Sequence, residues 1–221
     1  VIAVLADFAP RFLLGFLVNV EIALSAVAAG LLLGTPMALA RLRVPGLRRA
    51  LRLLTMLMQA APVYVIMFFV LNLFPQRIAV FGAPVAIGGI AAVILSQSVN
   101  MAAYMSEVVE EAARHWHAGQ RDQALLLVPA VLRGFFIVLM SSGFGAAIGV
   151  VEAVGVTLRQ AQLLPHLRDR ILLFLVVMAF FVAVLGAANL LVHWLVRRLK
   201  ARGRAVPRPL AGGELSERGA D

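Results

Sequence analysis

Three carboxylates, Glu21, Glu107 and Glu152, lie inside long apolar runs of this sequence. A charge near the centre of a bilayer costs at least ~2.5–3.5 kcal/mol on insertion scales, so each must face a bundle interior or a wet cavity. Carboxylates so placed can line a solute or proton path. They can equally sit near the end of a span, tied to Arg159 or to a backbone amide. The histidines offer less. His115 and His117 are two residues apart and so point to different helix faces. With no cysteine in the chain and no acid at ligand spacing, no metal site is expected. His115-Trp116-His117 reads instead as an interfacial segment, with Trp116 at headgroup level. No serine pairs with a histidine in a nucleophile setting, and there is no GxxxxGK[ST] to hold a nucleotide. The chain is therefore not expected to be an enzyme or to carry a cofactor of its own.

The elements that hold these residues follow from composition. Of 221 residues 62% are hydrophobic and 14% charged, against about 25% charged in an ordinary soluble domain. So little charge cannot cover a soluble surface, which excludes a cytosolic enzyme and a disordered chain. Five apolar segments stand out, at about 12–39, 53–74, 84–109, 125–156 and 171–199, each near the roughly 20 residues a membrane span needs. The first is too long for a secretory signal and is expected to be retained. The expected fold is an all-α, polytopic membrane bundle of five helices, as one transmembrane domain over residues 1–200. Residues 201–221, rich in Gly, Pro and charge, are expected to be a mobile tail.

The net charge of +9 acquires meaning from its placement. Arg41, Arg43, Arg48, Arg49 and Arg52 follow the first segment, and Arg114, Arg121 and Arg133 surround the turn between the third and fourth. Seven more run from Arg197 to Arg218, and only Arg11, Arg77, Arg159, Arg168 and Arg170 fall on the other side of a five-span bundle. Lys and Arg stay on the cytoplasmic side, so the N-terminus is expected outside and the C-terminus in the cytoplasm. Nucleic acid is not needed to explain the charge; lipid is the expected surroundings. Small residues let helices approach closely in lipid, and the GxxxG pairs Gly30/Gly34 and Gly145/Gly149 are expected helix-packing positions.

The run Ala102 to Glu107 (AAYMSE), followed by Gly119 to Ala124 (GQRDQA), resembles the permease subunits of polar amino-acid ABC importers, which show AAYxxE and then GQxEAA. Gly15 to Leu42 is similar to that family's first span, with Asn19 in place of a Thr. Gln59-Ala60-Ala61-Pro62 falls where the family has RGTP, and Ile148-Gly149-Val150-Val151-Glu152 resembles IGVPE. Thr157-Leu158-Arg159-Gln160-Ala161 is similar to the TRQA-like stretch that follows. The likeness covers about residues 11–200. It implies a type I importer permease in the bacterial inner membrane. Its implied partners are a second permease chain, ABC ATPase subunits carrying ATP and Mg2+, and an external solute-binding protein. The implied solute is a polar amino acid or a related small molecule, with Gln59, Pro62, Tyr104, Glu107, Ser141, Ser142 and Glu152 as pathway residues.

The departures shape the expectation further. The family's loop runs A-x3-G-x9-I-x-L-P, and its helix docks into the ATPase. Here only four residues separate Ala124 from Pro129, too few for a docking helix at 1.5 Å per residue. Gly119, Gln120, Arg121 and Asp122 mark a shortened, degenerate coupling turn, and Ser141-Ser142-Gly143 stands in place of a charged patch. Two roles follow: one half of a permease heterodimer whose partner carries most of the coupling, or a non-transporting subunit that holds the complex together. An ion-driven secondary transporter is a third possibility, but the sequence has no internal repeat of the kind such proteins show.

Overall fold

Long runs without charge can satisfy their backbone polar groups only internally in lipid, so they coil into helices. The computed structural model describes residues 2–73, 77–80, 83–86 and 88–204. Helix α1 spans Ile2–Arg43, and a 3-10 turn at Pro45–Leu47 leads into α2 (Arg48–Ala60) and α3 (Val63–Leu73). Strands β1 (Arg77–Val80) and β2 (Ala83–Ala86) pair antiparallel, with Arg77 opposite Ala86. Helix α4 (Gly89–His117), the single turn α5 (Arg121–Ala124) and α6 (Leu127–Ser141) follow. A 3-10 segment at Ser142–Ile148 precedes α7 (Ala153–Leu163) and α8 (Leu167–Arg204).

The core forms where α1 lies along α4. A Cβ placed on Gly34 would come within 2.6 Å of the Ala102 carbonyl oxygen and 2.8 Å of the Ser106 amide nitrogen. One on Gly30 would meet the Met101 side chain. These two glycines thus let α1 touch the backbone of α4 within the chain itself. Contacting positions rise together, from Gly30–Met101 to Arg41–Glu110, so the helices run parallel. Helix α6 closes this core with Val138 and Leu139 against Ala23, Ala26, Met101 and Met105. A second cluster joins Phe8 and Phe12 of α1 to α7 and α8, and Phe12 meets Phe180 edge-on at 5.0 Å. Most of the remaining large side chains of α8 are exposed and apolar, as a lipid-facing coat would be.

Several expected boundaries change. Three helical stretches, Asp7–Arg43, Arg121–Ile148 and Leu167–Ala201, are long and apolar enough to cross a membrane. A fourth is added if α2 and α3 count as one span, but they meet at 89°. The expected second segment is therefore broken at Ala61–Pro62, where proline has no amide hydrogen to continue the helix. Helix α4 has the length of a span, but its buried face mixes Ser96, Gln97, Ser98, Ser106 and Glu110 with apolar residues such as Val93, Met101 and Met105. Its expected start near Pro84 is a short hairpin instead, while the other regular elements among the described residues are helical, as expected. A two-stranded ribbon consists of edges, where a proline is tolerated.

The expected fourth segment also breaks. Its helix tightens to 3-10 at Ser142, turns at Gly149 with φ of +84°, and restarts at Ala153. Gly145 and Gly149 are consequently no helix-packing pair. Gly145 lies against Val93 and Val150, while Gly149 supplies the left-handed turn, which L side chains rarely adopt. The tail expected from Ala201 begins inside α8, and residues 205–221 lie outside the described residues.

Candidate functional site

Two polar centres are built between these helices. The first is a clasp around the α7 N-terminus. Glu152 is its N-cap, and its carboxylate accepts from the amides of Val154 (2.9 Å) and Gly155 (2.8 Å). A carboxylate there meets both unsatisfied amides and the positive end of the helix dipole. Asn19 of α1 donates to Glu152 Oε2 at 2.9 Å and to Ser142 Oγ at 2.7 Å. Its own carbonyl oxygen accepts from the Ala153 amide at 3.1 Å. Gly15 makes this possible, because any Cβ there would strike the backbone at Glu152–Ala153. Both donors and the acceptor of Asn19 are used, and Asn19, Ser142 and Glu152 are buried. The clasp holds the broken segment onto α1 and leaves nothing to offer a solute.

The second centre lies where α1, α2 and α4 converge near Arg41. Arg41 of α1 pairs with Glu110 of α4 at 3.2 Å, with side-chain exposures of 3% and 9%. Arg41 also donates to Ser106, and Arg114 pairs with the second oxygen of Glu110. Beside this cluster is a cavity of about 390 Å³ lined by Arg41, Arg52, Thr55, Glu107, Glu110 and Glu111, among others. Gln59, at the end of α2, donates to Glu107 Oε1 at 3.0 Å and ties α2 to α4. The lining carries both signs of charge within reach of a small solute. Such a wall can meet a positive and a negative group at once.

The expected pathway residues are thus scattered. Gln59 and Glu107 come together at the second centre, and Pro62 forms the corner that aims α2 across it. Tyr104 instead donates to the Ala130 carbonyl at 2.9 Å and fastens α4 to α6. Ser141 accepts from Gln97 at 2.8 Å and faces a separate groove between α6 and α8. Ser142 and Glu152 are sealed in the clasp, and Glu152 is held by amides and Asn19, not by Arg159. Glu21 is exposed on α1. Arg41, Ser106, Glu110 and Arg114 were not anticipated. Glu107, Glu110, Glu111 and Arg114 recur at helical spacing, which places them on one face. Ending the third segment at 109 hid that face.

Residues 118–126 alone join α4 to α6. Gly119 turns with φ of +75°, Gln120 Oε1 lies 2.7 Å from His115 Nδ1, and Arg121 stacks over Trp116 at 5.5 Å. Their one regular element, α5, packs against α8. The Tyr104 fastening can be tested simply. Tyr104→Phe should cost about 1 kcal/mol, the net worth of one hydrogen bond, read from denaturant unfolding in detergent.

With this geometry in place, the likeness to known structures is informative. A chain in a crystal structure of an amino acid ABC transporter with histidines is similar to this one, with a TM-score of 0.68. The match covers 88% of this chain and 96% of that one, at 18% sequence identity. The two chains share a fold. No protein-family model matches the sequence, and no curated protein matches it either. The shared fold includes nearly the whole of the neighbour, so the present chain is comparable to it in extent as well as in topology.

Proposed function

We propose that this chain is a transmembrane subunit of an ATP-driven importer that moves a polar amino acid or a related small solute across the bacterial inner membrane. The observation that carries the reading is the fold shared with a transporter chain over 88% of the sequence. In this reading α4 supplies a further crossing beyond those apparent from apolarity, giving five. The pole holding Arg41, Arg43 and Arg114 is cytoplasmic, because Lys and Arg accumulate there. The cavity between α1, α2 and α4, walled by both signs of charge, is the part of the path this chain contributes. Glu107, Arg41, Arg52 and Glu110 line it, and Gln59 reaches it through its hydrogen bond to Glu107.

The partners are a second permease, ATPase subunits that bind ATP and Mg2+, and an external solute-binding protein. The connection at 118–126 is too short for a docking helix, so the paired permease carries most of the coupling. That is sufficient, because ATP need bias only one shared conformational equilibrium. The same short connection supports a second reading, a permease-like subunit that transports nothing and steadies the complex.

The test is purification of the native complex followed by transport in vesicles. Co-purification with a second permease and an ATPase is expected, with ATP-dependent uptake of a polar amino acid. In that complex Glu107→Gln should reduce uptake at least tenfold, the effect of about 1.4 kcal/mol on the barrier. Unchanged uptake would favour the non-transporting subunit. Recovery as a lone homodimer without ATPase, or uptake driven by an ion gradient alone, would overturn the importer.

A further inference from the structure

Helices α6 and α8 leave between them an open groove of about 560 Å³ on the outside of the bundle. Its wall is apolar along most of its length, with Phe136, Met140 and Phe144 on one side and Leu185 on the other. Arg133 stands at one end and is exposed, and Asn189 and Ser141 are the uncharged polar members of the wall. Among the described residues no carboxylate lies within ion-pair distance of Arg133. An arginine in the stretch LVPAVLRGFFIVLM is costly in hydrocarbon unless its charge is met.

The geometry points to an anionic phospholipid of the cytoplasmic leaflet as the occupant, its phosphate held by Arg133 and its acyl chain laid along the groove. Three observations fit. Arg133 lies six residues into α6, about 9 Å from the helix start, within the reach of a side chain that extends toward the headgroups. The groove then climbs from Arg133 to Phe144, roughly 16 Å along the helix, comparable in length to the acyl chain of one leaflet of a ~30 Å core. Its one charge lies at the end where a lipid's phosphate would be, and the wall beyond it is mostly apolar, as a tail requires. A second copy of the chain fits less well. A two-fold axis along the membrane normal through this face would set Arg133 against Arg133, like charge on like. The inference needs only that the chain is embedded with Arg133 toward the cytoplasm, and it stands whether or not the importer reading does.

The full chain, reconstituted in vesicles of equal phosphatidylglycerol and phosphatidylcholine and extracted in mild detergent, would be examined by native mass spectrometry. Retained lipid should favour phosphatidylglycerol about fivefold, the equivalent of ~1 kcal/mol for one basic residue at an anionic surface. Arg133→Gln should abolish the preference and Arg133→Lys should keep most of it. Ile137→Trp, at an exposed position on the groove wall, should expel both lipids. Equal retention of the two lipids by the unaltered chain, or an unchanged preference in Arg133→Gln, would overturn the proposal. So would an Ile137→Trp chain that keeps its lipid but falls from a dimer to a monomer, because the groove would then be an interface between copies of the chain.

Discussion

Replacing Glu110 by Ala should lower the unfolding free energy by about 3–5 kcal/mol, measured by denaturant titration of the purified chain in detergent. The substitution leaves the Arg41 guanidinium, 3% exposed, without its anion, and an uncompensated buried charge is far costlier than a missing pair. The opposite truncation should be milder. Arg41→Ala leaves Glu110 paired with Arg114, whose side chain is 47% exposed and keeps the carboxylate in contact with water. The double substitution Arg41→Met with Glu110→Leu should recover most of the loss, because apolar residues of similar volume often match a buried ion pair in stability. If the double variant is as unstable as Glu110→Ala, the pair is not the source of the cost. The ranking also separates folding from transport. A double variant that is stable but inactive would place the charges in function and not in the fold.

Asn19→Leu should cost a similar amount, about 3–5 kcal/mol, combining an orphaned amide with a lost bond to a carboxylate. Leu fills nearly the same volume but makes none of the three bonds of Asn19. The Ala153 amide loses its acceptor, and Glu152 loses one of three donors. Ser142→Ala is the contrasting case. That hydroxyl is buried but also donates to the Leu139 carbonyl at 2.8 Å, so its removal takes bonds without stranding a charge and should cost about 1 kcal/mol. Hydrogen exchange at Ala153 to Gly155 would locate the damage. Equal stability for Asn19→Leu and Ser142→Ala would mean that the clasp does not hold α7 to α1.

The helices were legible in the sequence because apolar length is a property of a window, and each window was long. Their breaks were not, for the same reason. Averaging over a span conceals two residues such as Ala61–Pro62, and the left-handed Gly149 reads as a packing glycine because it follows Gly145 at GxxxG spacing. The candidate site was legible in part. Glu107 stood out as an acid in an apolar run, and Gln59 through the motif resemblance; nothing local says that they meet across 48 residues. Glu110 was hidden by its company. Among Glu111, Arg114 and His115 it read as the polar end of a span, although the i,i+4 spacing to Arg114 marks one helix face. Arg41 counted toward the orientation signal, which charge summed over a loop can show, whereas its burial depends on where α4 lies.

The right angle between α2 and α3 gives the molecule a lever. Helix α2 extends about 18 Å from its corner at Ala60 back to Arg48, so a twist of α3 by ~10° about its own axis would sweep the far end sideways by ~3 Å. That exceeds what a hydrogen bond can follow, whereas Gln59, one residue from the corner, would hardly move. The corner therefore converts rotation of α3 about its own axis into sideways translation of α2, with the largest displacement at Arg48, Arg49 and Arg52.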